Sequence, residues 1–209
     1  MPVVLSAAAI VSAALAILFD HKEQRLFVYI FKPLTIVLIM LVAIVSAAPG
    51  PAAYRTFILA GLAASLAGDV LLMLPKRPFA AGLACFLVAH GFYILAFRPA
   101  PGHRVAPVLL LPFIILGLLV FRTLAPVLGR MKFPVLIYVA AITAMACLAA
   151  ARFVDLGGTR TLCAFAGATL FLVSDSVLAY NRFVRPFSAA QLIILGTYFP
   201  AQLLIALSV

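Results

Sequence analysis

The chain has 209 residues, of which 67% are hydrophobic and only 10% are charged, and its mean hydropathy is +1.28. Soluble domains are about half apolar and about a quarter charged, so this composition excludes a soluble protein and predicts a polytopic integral membrane protein. A net charge of +10 would suggest a nucleic-acid partner in a soluble chain. Here the basic residues fall mostly in short gaps between apolar runs, where membrane topology and anionic lipid headgroups account for them, and no nucleic-acid partner is expected.

Eight apolar runs in the sequence are long enough to cross a membrane as helices, which need about 17–25 residues each. Because the gaps leave no room for a soluble domain, we predict an all-α fold with one membrane domain over residues 1–209. The fifth run is short and contains Pro107 and Pro112, although prolines are tolerated in membrane helices. The predicted spans, in chain order, are 3–19, 27–47, 56–74, 79–97, 105–121, 133–151, 161–180 and 188–208.

The gaps between the spans differ in positive charge. The first, third, fifth and seventh gaps hold nine Lys and Arg residues, and the other three gaps hold five. Basic residues are enriched in cytoplasmic loops, so we predict the odd-numbered gaps in the cytoplasm and both termini on the other side. The first apolar run follows no basic region, and we interpret it as a retained helix and not as a signal peptide.

Two aspartates lie deep inside predicted spans, Asp69 in the third and Asp175 in the seventh. The chain has only five acidic residues, and a carboxylate at that depth costs about 2.5–3.5 kcal/mol. By helix rise, both aspartates and Lys32 of the second span fall about 9–10 Å from the predicted cytoplasmic side. Three ionisable groups at one level indicate a functional site. Snorkelling of Lys32 to the interface and a purely structural ion pair are the alternatives.

The two aspartates have similar surroundings in the sequence. SLAGDVLLMLPKRPF (65–79) resembles LVSDSVLAYNRFVRPF (172–187), and an apolar span follows each segment. This similarity predicts two parallel four-helix repeats, 1–100 and 105–209, related by an axis along the membrane normal. The repeat would bring the aspartates to the same side and make His90 equivalent to Tyr198. Coincidence among apolar helices is the alternative.

Further polar side chains lie on the same spans. A lone Tyr or Gln in a helix bundle usually makes an interhelical hydrogen bond, and a hydrogen-bonded core histidine is the ordinary interpretation of His90. The sequence contains no motif of serine hydrolases, zinc peptidases or nucleotide-binding loops, and its three cysteines lack metal-ligand spacing. We therefore expect no metal. The candidates for substrate binding, or for tuning the ionisation of the aspartates, are Lys32, His90, Tyr93, Ser174, Tyr198 and Gln202.

Taken in order, these residues resemble the YhhN-like lysoplasmalogenase family of eight-span membrane proteins. Each matching piece is short, but their order and spacing together are specific. Where the family has two aromatic residues before the Gln, this chain reads Tyr-Phe-Pro-Ala-Gln, so Pro200 is expected to shift the helix locally. The matching pieces are KPL at 32–34, GDVLL at 68–72, Phe86, His90 and Tyr93, SD at 174–175, and Tyr198 with Gln202.

The resemblance implies an enzyme that hydrolyses the vinyl-ether bond of a lysoplasmalogen, or of a related ether lysolipid, to a fatty aldehyde and a glycerophospho-base. It implies Asp69 and Asp175 as the catalytic pair, with no metal or organic cofactor. Protonation of the alkene carbon gives an oxocarbenium ion that water captures, so one proton donor and one carboxylate are sufficient, as in glycoside hydrolysis. Lys32 beside one aspartate would keep that one ionised, but the sequence does not say which.

The same resemblance implies a location in the cytoplasmic membrane of a bacterium, with the lipid phosphate held by basic residues at the cytoplasmic rim. A proton-coupled transporter is the alternative, because such proteins also use intramembrane carboxylates and parallel repeats. A transporter would need access from both faces, whereas these charges cluster towards one face. The sequence leaves the oligomeric state open. The rim residues are Lys76, Arg77, Arg182 and Arg185.

Overall fold

A computed structural model describes residues 1–46, 51–74, 79–99 and 107–209. Over these ranges the chain is helical without strands, and eight helical segments are long and apolar enough to cross a membrane. The fifth segment, Pro107–Leu124, consists of a 3-10 turn and α5 together. The all-α, eight-span prediction is therefore confirmed. The helices are α1 Pro2–His21, α2 Arg25–Val45, α3 Ala52–Met73, α4 Phe79–Phe97, α5 Leu111–Leu124, α6 Lys132–Leu156, α7 Gly158–Phe183 and α8 Ala190–Leu207, with short 3-10 turns at Pro107–Leu110 and Gly129–Met131.

Several helices run past the predicted spans at their polar ends. Hydropathy marks only the apolar part of a helix, whereas α6 and α7 extend through Arg152 and Arg160 until the chain reverses. The reversal takes place at Gly157 and Gly158, whose φ angles of +62° and +84° are accessible to glycine without a steric penalty. A nearly residue-free turn therefore joins α6 to α7.

Pro33 and Pro200 lie inside continuous helices. A proline at position i leaves the carbonyl of residue i−4 without its helical partner, a loss that membrane helices tolerate. Next to Pro33, the hydroxyl of Ser12 on α1 donates to the Phe31 carbonyl at 3.2 Å, and the Thr35 hydroxyl lies 2.7 Å from the same oxygen. These bonds fix the turn of α2 that carries Lys32. At Pro200, α8 continues without a break.

The packing of the bundle pairs helices within and between the two halves of the chain. Within the halves, α1 packs on α2, α3 on α4, α6 on α7 and α7 on α8, and between the halves α2 packs on α8 and α4 on α6. The last two contacts are equivalent if α2 corresponds to α6 and α4 to α8, as the predicted repeat requires. Superposition of 1–100 on 105–209 stays a prediction.

α5 is the helix least enclosed by the bundle. Among its residues only Gly117 and Leu124 are buried, whereas ten residues of α6 are buried. Large apolar side chains such as Ile115 and Leu118 are more than half exposed on α5, as expected for a surface in contact with lipid chains. α5 is therefore held against α6 and α7 by few contacts.

α7 approaches the backbone of α8 closely at Gly167. A Cβ atom there would lie 2.8 Å from the Ala201 carbonyl oxygen and 3.0 Å from the Ile205 nitrogen, and backbone atoms cannot move without the whole helix. We expect Gly167→Ala to lower the free energy of unfolding by about 1–3 kcal/mol, measured as a lower thermal midpoint in detergent. Gly196→Ala is the control, because a Cβ atom there meets nothing within 4 Å. Equal midpoints for the two variants would contradict the close approach.

Candidate active site

One cavity of about 680 Å³ contains both Asp69 and Asp175 in its lining. It begins beside Asp20, Glu23 and Arg25, which lie near the turn between α1 and α2, and it extends inward between α2, α3, α7 and α8. We call the end of the bundle where α1, α3, α5 and α7 finish the odd face. The lining formed by described residues stays in the half of the bundle nearest this face.

The two aspartates lie at unequal distances from the ends of their helices. Asp69 is four residues before Met73, the last residue of α3, and Asp175 is eight residues before Phe183, the last residue of α7. By helix rise these distances are about 6 Å and about 12 Å, in place of the common 9 Å expected. The difference arises because α7 continues past the predicted span while α3 ends earlier.

Both carboxylate oxygens of Asp69 are engaged by donors. The Lys32 ammonium lies 3.0 Å from Oδ1, and the Tyr198 hydroxyl donates to Oδ2 at 2.6 Å. Lys32 therefore pairs with Asp69 and does not snorkel to the interface, and its side chain is only 11% exposed. Three helices, α2, α3 and α8, meet at this carboxylate. The arrangement stabilises a negative charge on Asp69.

Among the described residues, donor groups approach only one oxygen of Asp175. The Tyr138 hydroxyl of α6 donates a short hydrogen bond to Oδ2. His90 Nε2 lies 3.7 Å from the same oxygen, which is too long for a hydrogen bond. Among the described residues no donor contacts Oδ1 of Asp175. The two aspartates thus differ in charge environment, because an ammonium contacts Asp69 whereas a phenol and an imidazole lie beside Asp175.

A buried chain of hydrogen bonds holds Tyr198 in place. The Tyr93 hydroxyl donates to Gln202 Oε1 at 2.8 Å, and Gln202 Nε2 donates to the Tyr198 oxygen at 3.2 Å. Tyr93 packs directly on Gly61, where a Cβ atom would lie 2.3 Å from the ring. Tyr93 and Gln202 do not line the cavity. Hydrogen bonds link them to Asp69 through Tyr198.

Ser174 and His90 differ in their hydrogen bonding. The Ser174 hydroxyl lines the cavity but donates to the Ile194 carbonyl at 3.0 Å, so it joins α7 to α8. His90 is fully buried, with its ring 5.0 Å from that of Tyr138 and 4.9 Å from that of Phe171. Neither ring nitrogen of His90 has a hydrogen-bond partner among the described residues. The expected hydrogen-bonded core histidine is therefore not what the structure contains.

Tyr138 was not predicted as a site residue, although the sequence carried a signal for it. Lys32 precedes Asp69 by 37 residues, and Tyr138 precedes Asp175 by the same 37. If the predicted repeat holds, Tyr138 on α6 is the equivalent of Lys32 on α2. The remaining partners, Tyr198 and His90, are the residues expected to be equivalent on α8 and α4.

The expected phosphate-binding rim is only partly in the described structure. Lys76 and Arg77 lie outside the described residues. The Arg182 guanidinium lies over the Phe79 ring at 5.1 Å, and Arg185 lines a separate groove beside α5. Arg25 is the arginine that lines the cavity of the aspartates. Within the described ranges no group of three or more His, Cys, Asp or Glu side chains is arranged to hold a metal ion.

A model of the YhhN family matches residues 27–209. The chain belongs to the YhhN family. All eight predicted site residues fall inside the match, whereas all of α1 and the cavity-mouth residues Asp20, Glu23 and Arg25 precede it. The family resemblance predicted from the sequence is therefore confirmed.

Relatives within and beyond bacteria carry two kinds of name. The membrane protein YhhN of Escherichia coli O6:H1 is 30% identical over 180 residues, which is 86% of each chain. Human lysoplasmalogenase TMEM86B is 37% identical over 159 residues, covering 74% of this chain and 64% of the human protein. Bovine lysoplasmalogenase TMEM86A is 37% identical over 164 residues, covering 76% of this chain and 66% of the bovine protein. No solved structure matches the chain.

Proposed function

We propose that this YhhN-family protein hydrolyses the vinyl-ether bond of a lysoplasmalogen, or of a related ether lysolipid, to a fatty aldehyde and a glycerophospho-base. The observation that carries the proposal is that Asp69 and Asp175 line one cavity with unlike partners, an ammonium at the first and a phenol at the second. The lysoplasmalogenase names of the mammalian relatives support the reaction. The protein acts in the cytoplasmic membrane of a bacterium, with the odd face in the cytoplasm.

Asp69 is the ionised member of the pair. Both of its oxygens accept from donors, and one of these donors carries a positive charge. Opposite charge and hydrogen bonds to the charged form both favour a carboxylate. A proton on either oxygen would displace the Lys32 or the Tyr198 contact. Asp69 is therefore suited to stabilise a cation in the cavity and to accept a proton from water.

Asp175 is the proton donor. Oδ2 accepts from Tyr138, and Oδ1, which no described residue contacts, is available to hold a proton. His90 does not supply a compensating positive charge, because a buried imidazolium without hydrogen-bond partners is costly. Tyr138 is a positioning residue that directs Oδ1 away from α6.

These roles give a balanced reaction. Asp175 transfers its proton to the alkenyl carbon next to the ether carbon, the double-bond electrons form the new C–H bond, and the ether carbon becomes part of an oxocarbenium ion beside Asp69. Water attacks that carbon and gives a proton to Asp69. The product of this addition is a hemiacetal. The hemiacetal hydroxyl then returns a proton to Asp175, the carbon–oxygen bond to the glycerol breaks, and the leaving oxygen takes the proton from Asp69.

The proposal is tested with purified protein in detergent and a lysoplasmalogen. We expect equal amounts of fatty aldehyde, trapped as a hydrazone, and glycerophospho-base, both measured by mass spectrometry. The ester analogue with the same headgroup is the control and should release no fatty acid, because an ester has no alkene carbon to protonate. Absence of aldehyde would contradict the proposal. Proton-driven uptake of solute by vesicles containing an inactive protein would favour the transporter instead.

A further inference from the structure

An apolar groove between α5 and α7 lies beside the catalytic cavity. Its volume is about 740 Å³, and it is lined by residues near the ends of α5 and α7 at the odd face. Leu119, Val120 and Leu124 form the α5 wall, and Val177 lies on the α7 wall. No pattern in the sequence indicated this groove, and the chemistry proposed for the aspartates does not use it.

A small space, which we call the neck, lies between this groove and the catalytic cavity. The neck has a volume of about 30 Å³ and shares Asp175 and Leu178 with the cavity. On its other side it shares Val120 and Ser176 with the groove. Asp175 and Ser176 are consecutive, so the groove begins one residue from the carboxyl group proposed as the proton donor.

The two spaces on either side of Asp175 differ in polarity. The catalytic cavity carries charged side chains at its mouth, Asp20, Glu23 and Arg25. Apolar side chains form most of the groove wall, and Arg185 of the groove lies beyond the end of α7. A vinyl-ether bond joins the polar and the apolar halves of its lipid. A substrate with that bond at Asp175 would place each half in the space of matching polarity.

From this geometry we infer that the α5–α7 groove, reached through the neck, binds the hydrocarbon chain of the substrate while the polar headgroup occupies the cavity. This assignment rests on the proposed function for the position of the cleaved bond. The neck must widen to pass a chain, and its α5 wall can yield because only Gly117 and Leu124 of that helix are buried. The aldehyde product then leaves into the bilayer and the glycerophospho-base leaves through the cavity mouth.

The kinetic test uses two lysoplasmalogens with the same headgroup, one with a long alkenyl chain and one with a chain of about four carbons, which is too short to cross the neck. Val120→Trp should lower kcat/KM for the long-chain lipid about tenfold or more, since several methylenes lose apolar contact. The short-chain lipid should change less than about twofold. Leu118→Trp is the matched control, because Leu118 is 64% exposed on the same helix and lines none of the three spaces. Equal effects on both lipids, or the same chain-length effect from Leu118→Trp, would overturn the assignment.

A binding test keeps the inference independent of turnover and of variant folding. A lysoplasmalogen with a diazirine at the methyl end of its chain is photolysed with the wild-type protein, and the labelled peptides are identified by mass spectrometry. Labels at 119–124 and 176–187 that an excess of unlabelled long-chain lipid removes, but glycerophosphoethanolamine does not, support the chain site. Labels spread over lipid-facing residues and insensitive to competition overturn it. If aldehyde is absent but the competed labels remain, only the proposed reaction fails; if aldehyde forms without these labels, only the chain site fails.

Discussion

Replacing either aspartate with asparagine should reduce aldehyde release by about a thousandfold or more, and replacing both should cost little more than replacing one. An amide can neither donate the proton that Asp175 supplies nor accept the one that Asp69 takes. General acid–base groups contribute about 10²–10⁴-fold each. Residues that act as one unit are strongly non-additive, so the loss in the double variant should approach that of the worse single variant. The measurement is the single-turnover rate of aldehyde formation in detergent.

Two controls separate loss of chemistry from loss of fold. Asp155→Asn, near the end of α6 away from the odd face, should keep the wild-type rate per folded protein. Asp69→Asn leaves the buried Lys32 ammonium without its carboxylate, and removal of one partner of a buried pair costs about 3–5 kcal/mol. The double variant Asp69→Asn with Lys32→Met removes both charges and should regain stability without regaining turnover. If either aspartate variant turns over at the wild-type rate, the catalytic pair is wrong.

The second large effect should separate the roles of the two carboxyl groups. Lys32→Met removes the ammonium that favours a charged Asp69, so the acid limb of the pH–rate profile should move to higher pH and the rate at neutral pH should fall about 10–100-fold. Tyr138→Phe removes a contact of Asp175 alone. This substitution should shift the alkaline limb of the pH–rate profile, along which Asp175 loses its proton. The acid limb should stay in place.

The control for both changes is Tyr54→Phe, which removes a phenol bonded to Ser208 at the opposite end of the bundle. Its profile should match that of the wild type. A Tyr138→Phe variant that moves the acid limb, together with a Lys32→Met variant that moves the alkaline limb, would exchange the roles of Asp69 and Asp175. A uniform loss of rate at all pH values in both variants would show that Lys32 and Tyr138 have structural roles only.

The sequence predicted the spans and the aspartates because both depend on composition along the chain. Twenty apolar residues have few options other than a membrane helix, and a carboxylate within them is conspicuous. The helix ends were less predictable, since polar residues such as Arg152 and Arg160 continue a helix beyond its apolar part. Backbone conformation at Gly157 and Gly158, which hydropathy does not report, determines where α6 ends and α7 begins.

The contacts of Tyr138 and His90 could not be predicted from the sequence. A tyrosine in an apolar run has no signature of its own, and Tyr138 is distinguished only by its position 37 residues before Asp175. No described residue forms a hydrogen bond with the His90 ring, because the aromatic rings of Tyr138 and Phe171 pack against it. Likewise the pairing of Lys32 with Asp69, in place of Asp175, depends on how α2 packs against α3.

The difference between Lys32 and Tyr138 bears on how the predicted four-helix repeats would carry out the proposed asymmetric reaction. Two carboxyl groups with identical neighbours would be degenerate: neither would be preferred as the site of a shared proton, and half of the molecules would hold it on each side. In the proposed mechanism, Lys32 beside Asp69 and Tyr138 beside Asp175 would remove that degeneracy. The proton would then be held on Asp175 before the substrate binds, and each lipid would meet the acid and the base in the same orientation.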